Sequence, residues 1–478
     1  MKPVISYKLS VISLFLWAGS IFAQSQSTDT LKMSLQECID YTLKNNVAIK
    51  SASLDEEIAA ARVREIRGIG LPQIDGSAGL QHYFKLRNSY LPGSTPFVTL
   101  PPGAPAPDVL VLPAIFQLPT NLEASLTATQ ILFNASYIVG LQAAKTYKDL
   151  AYRSSQQTKE QTINNVKKAY FQNLINVERI KLFDINIVRL DSNLKQLKAL
   201  QKSGFAEQID VDRLEVTLNN LLTEYEKTIN LLVLSSLSLK FQMGMPIEQN
   251  IILTDSIGKY TTNTDVNTNE QVDPSRRTEY QLLKLQVKSY QLDLKNNRGA
   301  ALPSLVAQGS LGAFTSSNNL NLFENRNIAV LNDLQSAPEF KRQPTYWSTY
   351  SFVQLGLNVP IFSGLQRSSK VQQSKFNLAK AELNLKNFEQ GMNLQVQSAK
   401  VNLTNSQRSL KIQERNLALA KNVNHVVFKK YKAGVASNLE VTDAESSLKE
   451  AQINYFNALF DFLIFKIDYE QALGTNKN

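Results

Sequence analysis

The sequence predicts a mainly α-helical protein with a smaller share of β-strands, arranged as a tandem repeat. Two very long tracts lack proline, four shorter segments alternate apolar and polar residues, and many residues recur about 230 positions apart. The 478 residues are 43% hydrophobic and 19% charged, a composition that excludes gross disorder. We therefore expect an ordered, helix-rich protein.

The composition excludes several classes of chemistry. One cysteine excludes a disulfide framework and a cysteine-cluster metal site, and two histidines are too few for a His-rich metal centre. The sequence contains no Gly-x-Ser-x-Gly, His-Glu-x-x-His or glycine-rich phosphate motif, and no convincing carboxylate dyad. We therefore expect neither an enzyme nor a bound cofactor or metal.

The first 23 residues form a predicted secretory signal peptide. Lys2 and Lys8 supply a basic region, Val11–Phe22 is apolar but too short to span a bilayer, and Ala23 supplies a small residue for cleavage. The alternative is a true membrane anchor. Because a secreted chain rarely meets nucleic acid, the net charge of +10 is better explained as general surface charge, with no nucleic-acid partner. Cys38 lies too far from this site for a lipid-modified cysteine, and we expect it to be half-buried on a helix.

Proline and glycine delimit the long helices. Eight of the 16 prolines lie between Lys85 and Thr120, whereas none occurs in 120–245 or in 361–478. Proline costs about 3 kcal/mol inside a helix, so these tracts predict helices, each interrupted at one glycine, Gly204 or Gly434. The predicted pairs are Ala135–Ser203 with Phe205–Met243, and Leu365–Ala433 with Val435–Leu473.

Helices of this length are typical of coiled coils. A helix of roughly 69 residues would be about 100 Å long at 1.5 Å per residue. The last predicted helix carries apolar residues at alternating spacings of three and four, which is a heptad seam. The seam comprises Val441, Ala444, Leu448, Ala451, Tyr455, Ala458, Phe462, Phe465, Tyr469 and Ala472.

The two halves of the chain align with each other. Identical pairs at an offset of about 230 include Gly204 and Gly434, and Val211 and Val441. The sequence therefore predicts a first repeat over 24–245 and a second over 275–478, with helix pairs at 135–243 and 365–473. Residues 246–274 form a polar segment between the repeats.

Four segments alternate with period two, at about 71–84, 121–133, 302–315 and 347–362. In the first, Ile74 and Leu80 share one face, while Asp75 and Ser77 share the other. About ten alternating residues suit a tilted membrane strand with lipid on one side and water on the other. The alternative is an ordinary half-buried soluble strand, but four such strands in a secreted, coiled-coil-rich repeat favour the membrane.

Four strands cannot close a membrane barrel, and an open sheet edge is not tolerated in lipid. The chain must therefore pool strands with copies of itself: two copies would give eight strands, and three would give twelve. The proline-rich stretch Lys85–Thr120 then becomes a long external loop that either plugs or covers the mouth.

Several motifs in this order resemble the TolC-like outer-membrane efflux channel family over essentially the whole mature chain. They are the opening helix over 33–46, the Leu71-Pro72 and Leu302-Pro303 strand starts, the Pro360-Ile-Phe-Ser-Gly364 strand end and, most strongly, the segment from Tyr431 to Glu445. The long, proline-rich first loop departs from the family's usual pattern.

The resemblance implies a homotrimer in the cell outer membrane, in contact with outer-membrane lipid. Three chains would form a twelve-stranded β-barrel, continued by an α-barrel of antiparallel helices in the periplasm, with residues 246–274 as an equatorial belt. The implied function is the exit duct of a tripartite efflux or type I secretion system. It passively conducts substrates delivered by an inner-membrane pump or ABC exporter through a periplasmic adaptor. The alternative is a structural or adhesive coiled-coil envelope protein without a channel.

The two glycine turns are the predicted periplasmic tips, and the resemblance implies that they dock the adaptor. Glycine readily adopts positive φ, which turns one helix into its antiparallel neighbour. The alternative is a plain helix-end turn with no partner. The turns comprise Gly204, Phe205 and Ala206 in the first repeat, and Gly434, Val435 and Ala436 in the second.

Glu440 and Asp443 follow the second turn, and their i, i+3 spacing places both carboxylates on one helix face. The resemblance implies acidic rings at these positions that line a periplasmic gate, together with Tyr431. Asp210 matches Glu440 in the first repeat, whereas Arg213 replaces Asp443 and is predicted to pair with a tip acid. The alternative is that these acids only stabilise a helix N-terminus through its dipole.

Overall fold

The structure is a computed structural model, and it describes residues 30–93, 101–105, 107–114, 117–261, 273–322, 326–330, 337–343 and 346–475. The predicted signal peptide, residues 1–23, lies outside the described residues. Parts of the predicted external loop and of the segment 246–274 lie outside them as well.

The first half of the chain contains short and long elements in the following order. The elements are β1 (Leu31–Met33), α1 (Leu35–Asn45), α2 (Val47–Ile69), β2 (Gln73–His82), β3 (Ser89–Pro92), β4 (Val109–Leu112), β5 (Thr120–Phe133), α3 (Ala135–Lys202) and α4 (Gln208–Met243). The inter-repeat segment then contributes β6 (Ile251–Leu253) and α5 (Gly258–Thr261).

The second half of the chain contains the remaining elements. After a 3₁₀ turn at Pro274–Arg276 come α6 (Thr278–Gly299), β7 (Ser304–Ser317), β8 (Arg326–Val330), β9 (Glu339–Gln343), β10 (Ser348–Asn358), α7 (Gln366–Lys432) and α8 (Asn438–Leu473). The predicted mainly helical class with a minority of strands is confirmed. The long strands β2, β5, β7 and β10 overlap the four segments that alternate in the sequence.

The chain divides into two compact units. The first consists of Met1–Asn46, Thr162–Val266 and Ser406–Ile464, and the second of Val47–Gln161, Asn267–Asn405 and Phe465–Asn478. Each unit draws on both sequence repeats.

The second unit contains a four-stranded antiparallel sheet in the order β10-β7-β5-β2. The register pairs Ile74 with Ala128, and Leu126 with Leu311. Two separate hairpins, β3 with β4 and β8 with β9, lie in the connections between the long strands. The described part of the proline-rich loop therefore contains regular structure, because both β3 and β4 lie within it.

The first unit is built on packed helices with one small parallel sheet. Strand β1 pairs with β6, so residues 31–33 are joined to residues 251–253 of the segment 246–274. The residues of the heptad seam that lie in this unit are buried or half-buried, among them Val441, Leu448 and Phe462. Cys38, which we expected to be half-buried, is fully buried because α1 packs against α4. Burial raises the pKa of its thiol to about 12.

Candidate channel surfaces

One face of the four-stranded sheet is apolar and exposed. Leu126 lies opposite Gly76 on one neighbouring strand and Leu311 on the other. The exposed fraction is 57% for Leu126, 64% for Leu311 and 84% for Val353. Exposed apolar patches of this kind mark surfaces that are covered by another apolar phase or by a partner.

The opposite face of the same sheet is polar and carries cross-strand hydrogen bonds. The Ser77 and Ser125 hydroxyl oxygens are 2.8 Å apart, and those of Thr127 and Ser310 are 3.1 Å apart. The Tyr350 hydroxyl donates to a Glu123 carboxylate oxygen at 2.6 Å. This face is suited to contact with water.

Both edges of the sheet lack a neighbouring strand within the described part of the chain. Strand β2 pairs only with β5, and β10 pairs only with β7. Each outer edge therefore presents unpaired N–H and C=O groups over about ten residues. Such an edge requires pairing with another chain before it can enter an apolar environment.

The two helix turns share the same backbone geometry. Gly204 and Gly434 adopt positive φ angles of 78° and 74°. The Phe205 N–H donates to the Leu200 carbonyl at 2.9 Å, and the Val435 N–H donates to the Lys430 carbonyl at 3.0 Å. These are Schellman-type helix ends, in which glycine allows the left-handed conformation that closes the helix.

The side chains of the turns differ in exposure. Phe205 is 83% exposed and Val435 is 73% exposed, which is unusual for large apolar residues. Ala206, by contrast, packs on the buried cluster formed by Phe183, Leu190, Leu194, Leu197, Val211, Leu214, Leu218 and Leu221. A partner could therefore reach Phe205 and Val435 directly, whereas Ala206 belongs to the packing of its own hairpin.

Glu440 lies in a capping box at the start of α8. Its Oε1 accepts from the backbone N–H and the hydroxyl of Ser437, both at 3.2 Å, and the Glu440 N–H donates to Ser437 Oγ at 3.3 Å. The Glu440 and Asp443 side chains are both exposed. The structure thus gives Glu440 a local structural role that sequence spacing alone did not reveal, and its role in a gate stays a prediction.

Asp210 and Tyr431 lie close to each other in the first unit. The Asn438 side-chain amide donates to the Asp210 carbonyl oxygen at 3.0 Å, which links the two turns. Burial, with the nearby Asp210 charge as a smaller contribution, raises the pKa of Tyr431. Arg213 is exposed, and its guanidinium has no ion-pair partner among the residues that the structure describes.

A buried polar network behind these turns was missed at the sequence level. Glu445 Oε2 accepts from Arg189 Nη2 at 2.7 Å, and the Glu445 side chain is only 3% exposed. Arg189 also donates to Asn186, whose amide donates to Gln452 at 2.7 Å. These residues join α3 to α8 and fix the register of the two helices.

Asp255 holds the start of α1 in place and was also missed. Its carboxylate accepts from the Leu35 N–H at 3.0 Å, the Tyr170 hydroxyl at 2.9 Å, the Tyr260 hydroxyl at 2.6 Å and the Lys259 ammonium at 3.0 Å. Burial acts to raise the pKa of Asp255, but these four hydrogen bonds outweigh it and hold the pKa below its ordinary value. Burial, followed by the bond to Asp255, raises the pKa of both Tyr170 and Tyr260.

Two further observations concern the residues that the structure describes. They contain no cluster of three or more His, Cys, Asp or Glu side chains that could hold a metal ion. Among their helices, none combines the length and the apolarity needed to cross a membrane.

Long paired helices and an amphipathic sheet with open edges occur together in this chain, and this combination defines a class of protein. Solved structures of outer-membrane channels share this fold. VceC from Vibrio cholerae has a TM-score of 0.68 at 13% identity, covering 92% of this chain and 96% of that one. The CmeC outer membrane channel of Campylobacter jejuni has a TM-score of 0.68 at 16% identity, covering 92% of this chain and 86% of that one.

Sequence comparison finds relatives of the same kind. Residues 275–475 match the family model described as outer membrane efflux protein. The outer membrane protein TolC of Vibrio cholerae is 22% identical over 356 residues, which cover 74% of this chain and 77% of that protein. The predicted resemblance to the TolC-like outer-membrane efflux channel family is confirmed, and this family and fold are those of channels.

Proposed function

We propose that the chain is the outer-membrane exit duct of a tripartite efflux or secretion system and conducts its substrates passively. The observation that carries the proposal is the four-stranded sheet with one exposed apolar face, one polar face and two open edges. The apolar face suits lipid and the polar face suits an aqueous lumen.

The open edges support pooling of strands between chains. A sheet in lipid must close, because no water is present to hydrogen-bond its edge groups. The edge of β2 in one chain would pair with the edge of β10 in the next. Three chains would then give a twelve-stranded barrel, and the likeness to TolC-like channels favours three over two.

The same exposed face argues against a structural or adhesive coiled-coil protein. A stalk needs long helices, but it does not need four strands that each present apolar side chains to their surroundings. The helices would instead continue the duct into the periplasm, where an adaptor and an inner-membrane pump or ABC exporter complete it.

The test is purification from the outer-membrane fraction in detergent, followed by light scattering and planar-bilayer conductance. We expect a particle with the protein mass of three chains and discrete single-channel openings. A monomer, a wholly soluble protein or a non-conducting trimer would contradict the proposal.

The exposed turns are the proposed adaptor-docking tips. Phe205→Glu combined with Val435→Glu should reduce crosslinking to the adaptor while leaving the oligomer mass unchanged. A matched control places glutamate at two exposed polar positions at the ends of the neighbouring helices, Lys202→Glu and Lys432→Glu. If both double variants crosslink like the parent, the turns are plain helix ends with no partner.

Glu440 and Asp443, with Asp210, Arg213 and Tyr431, form the proposed periplasmic gate. In a trimer the first two would supply three carboxylates each, and like charges held close together attract cations. Because α8 begins beside Ser437, the capping role and the gate role of Glu440 must be separated by experiment.

A further inference from the structure

A basic groove lies in the second unit, between the end of α6 and the first turns of α7. Its volume is ≈620 Å³. Arg298, Arg367 and Lys375 provide three positive charges among its lining residues, and the lining contains no carboxylate. Such a groove is suited to an anion.

The charges of the groove are not neutralised locally. None of the three cations forms an ion pair with a carboxylate in the described ranges, and Arg367 Nε donates to the Ser363 hydroxyl at 3.0 Å. Asp293 lies one turn from Asn297 on α6, but it already accepts from the Ser374 hydroxyl at 2.7 Å and from Asn297 at 3.3 Å. The first turn of α7 adds the positive end of a long helix dipole.

An exposed apolar belt borders the groove on the side of the strands. Ala301 lines the groove, and the next residue, Leu302, is 53% exposed. Leu365 precedes Arg367 by two residues and is 71% exposed, while Phe362 is 80% exposed. These residues lie in the two chain segments that run between the groove and the strands β7 and β10, so exposed apolar side chains are adjacent in the chain to the cationic lining.

We propose that this groove binds the phosphate headgroup of an anionic phospholipid, whose acyl chains lie over the belt of Leu302, Phe362 and Leu365. The inference rests on the proposed function, which places the apolar strand face in lipid. Arginine binds phosphate through paired N–H donors, and basic pockets at the membrane surface recognise anionic headgroups. An amphiphile satisfies both surfaces at once, which a free phosphate ion does not.

The first repeat offers an internal comparison. The corresponding corner, between the end of α2 and the start of α3, is filled by Tyr137. Its hydroxyl donates to the Arg67 carbonyl at 3.4 Å, and a Cβ added to Gly70 would lie 2.0 Å from that hydroxyl. The ring therefore occupies this corner in the first repeat, whereas in the second repeat the equivalent corner is an open, basic groove.

The test is native mass spectrometry of the detergent-purified full chain with added phosphatidylglycerol, in the parent and in Arg298→Gln/Arg367→Gln/Lys375→Gln. The parent should bind phosphatidylglycerol saturably. The triple variant should bind roughly 100-fold more weakly, because each basic side chain near an anionic surface contributes about fivefold. The matched control, Arg408→Gln/Lys411→Gln/Arg415→Gln, removes the same charges from exposed positions of the same helix and should bind like the parent.

Inorganic phosphate and phosphatidylcholine distinguish the alternatives. Inorganic phosphate at equal concentration should not displace phosphatidylglycerol, and phosphatidylcholine should bind more weakly. Displacement by inorganic phosphate, equal binding of both lipids, or equal losses in both triple variants would each overturn the inference. If the groove triple fails to fold, Arg298→Gln alone serves, because Arg298 is exposed at the end of α6. Lipid binding in detergent does not depend on conductance, so failure of the duct and failure of the lipid site give different results.

Discussion

Breaking the buried pair between Arg189 and Glu445 should cost far more stability than breaking an equivalent surface pair. Glu445 Oε2 lies 2.7 Å from Arg189 Nη2, with only 3% of the Glu445 side chain and 30% of the Arg189 side chain exposed. Its second oxygen, Oε1, is buried without a hydrogen-bond partner among the described residues. Arg189→Met would therefore leave an uncompensated carboxylate inside the helix packing.

The expected cost is about 3 kcal/mol, at the lower end of the range for breaking a buried ion pair, because Arg189 retains some contact with solvent. An exposed pair in the first half of the chain supplies the control. Glu215 aligns with Glu445 and pairs with Lys198 at 2.8 Å, but both of these side chains are 46% exposed. Lys198→Met should cost about 0.2–1 kcal/mol, as surface pairs do.

The measurement is the thermal unfolding midpoint of the detergent-purified variants, compared at one scan rate because large proteins often unfold irreversibly. The double variant Arg189→Met/Glu445→Leu should recover most of the loss, since an apolar pair of similar size replaces the buried charges. The reasoning is wrong if Arg189→Met shifts the midpoint no more than Lys198→Met does, or if the double variant is as unstable as the single one.

Two other predictions concern strand β5 and the carboxylate of Asp255. Leu126→Arg on the exposed apolar face should destabilise the folded protein in membranes by about 2–4 kcal/mol and lower its yield. Thr127→Arg on the polar face should fold with the yield of the parent. Equal yields of the two variants would contradict the lipid-facing assignment. The pKa of Asp255 is depressed in the folded state, so its contribution to stability is present above its unfolded pKa of roughly 4 and is lost as the pH falls through the lower folded value. Asp255→Asn should accordingly destabilise the protein at pH 7 and flatten its acid unfolding profile, and an unchanged profile would show that the carboxylate does not contribute.

Local patterns in the sequence predicted the elements whose causes are local. The alternation of Ile74 with Asp75 reflects two faces of one strand, and a glycine such as Gly204 reflects a left-handed helix end. The break between α1 and α2 also depends on tertiary structure. It falls at Asn46, whose side-chain amide donates to the Gln242 carbonyl on α4 at 2.7 Å, so a contact distant in sequence sets it.

The same limit applies to the candidate site. The acids after the second turn could be selected from their spacing, but Glu445 could not, because Arg189 is separated from it by 256 residues. Sequence spacing also could not show that Phe205 and Val435 are exposed while Ala206 is packed. Those distinctions depend on which helices meet, and therefore on the tertiary fold.

The proposed gate role of Glu440 can be separated from its capping role, because the two roles need different properties of the side chain. A capping box requires an acceptor at this position, and glutamine provides one, whereas a cation-selective ring requires the charge. Glu440→Gln with Asp443→Asn should therefore abolish cation preference and block by divalent cations, with little change in thermal stability. Ser437→Ala should do the reverse, losing about 1 kcal/mol of stability while keeping the parent's selectivity, because the hydroxyl caps α8 but carries no charge. Single-channel recordings of the three proteins decide between the roles. If the charge variant selects and blocks like the parent, or if Ser437→Ala changes selectivity as much as the charge variant does, these acids begin a helix and the gate lies elsewhere.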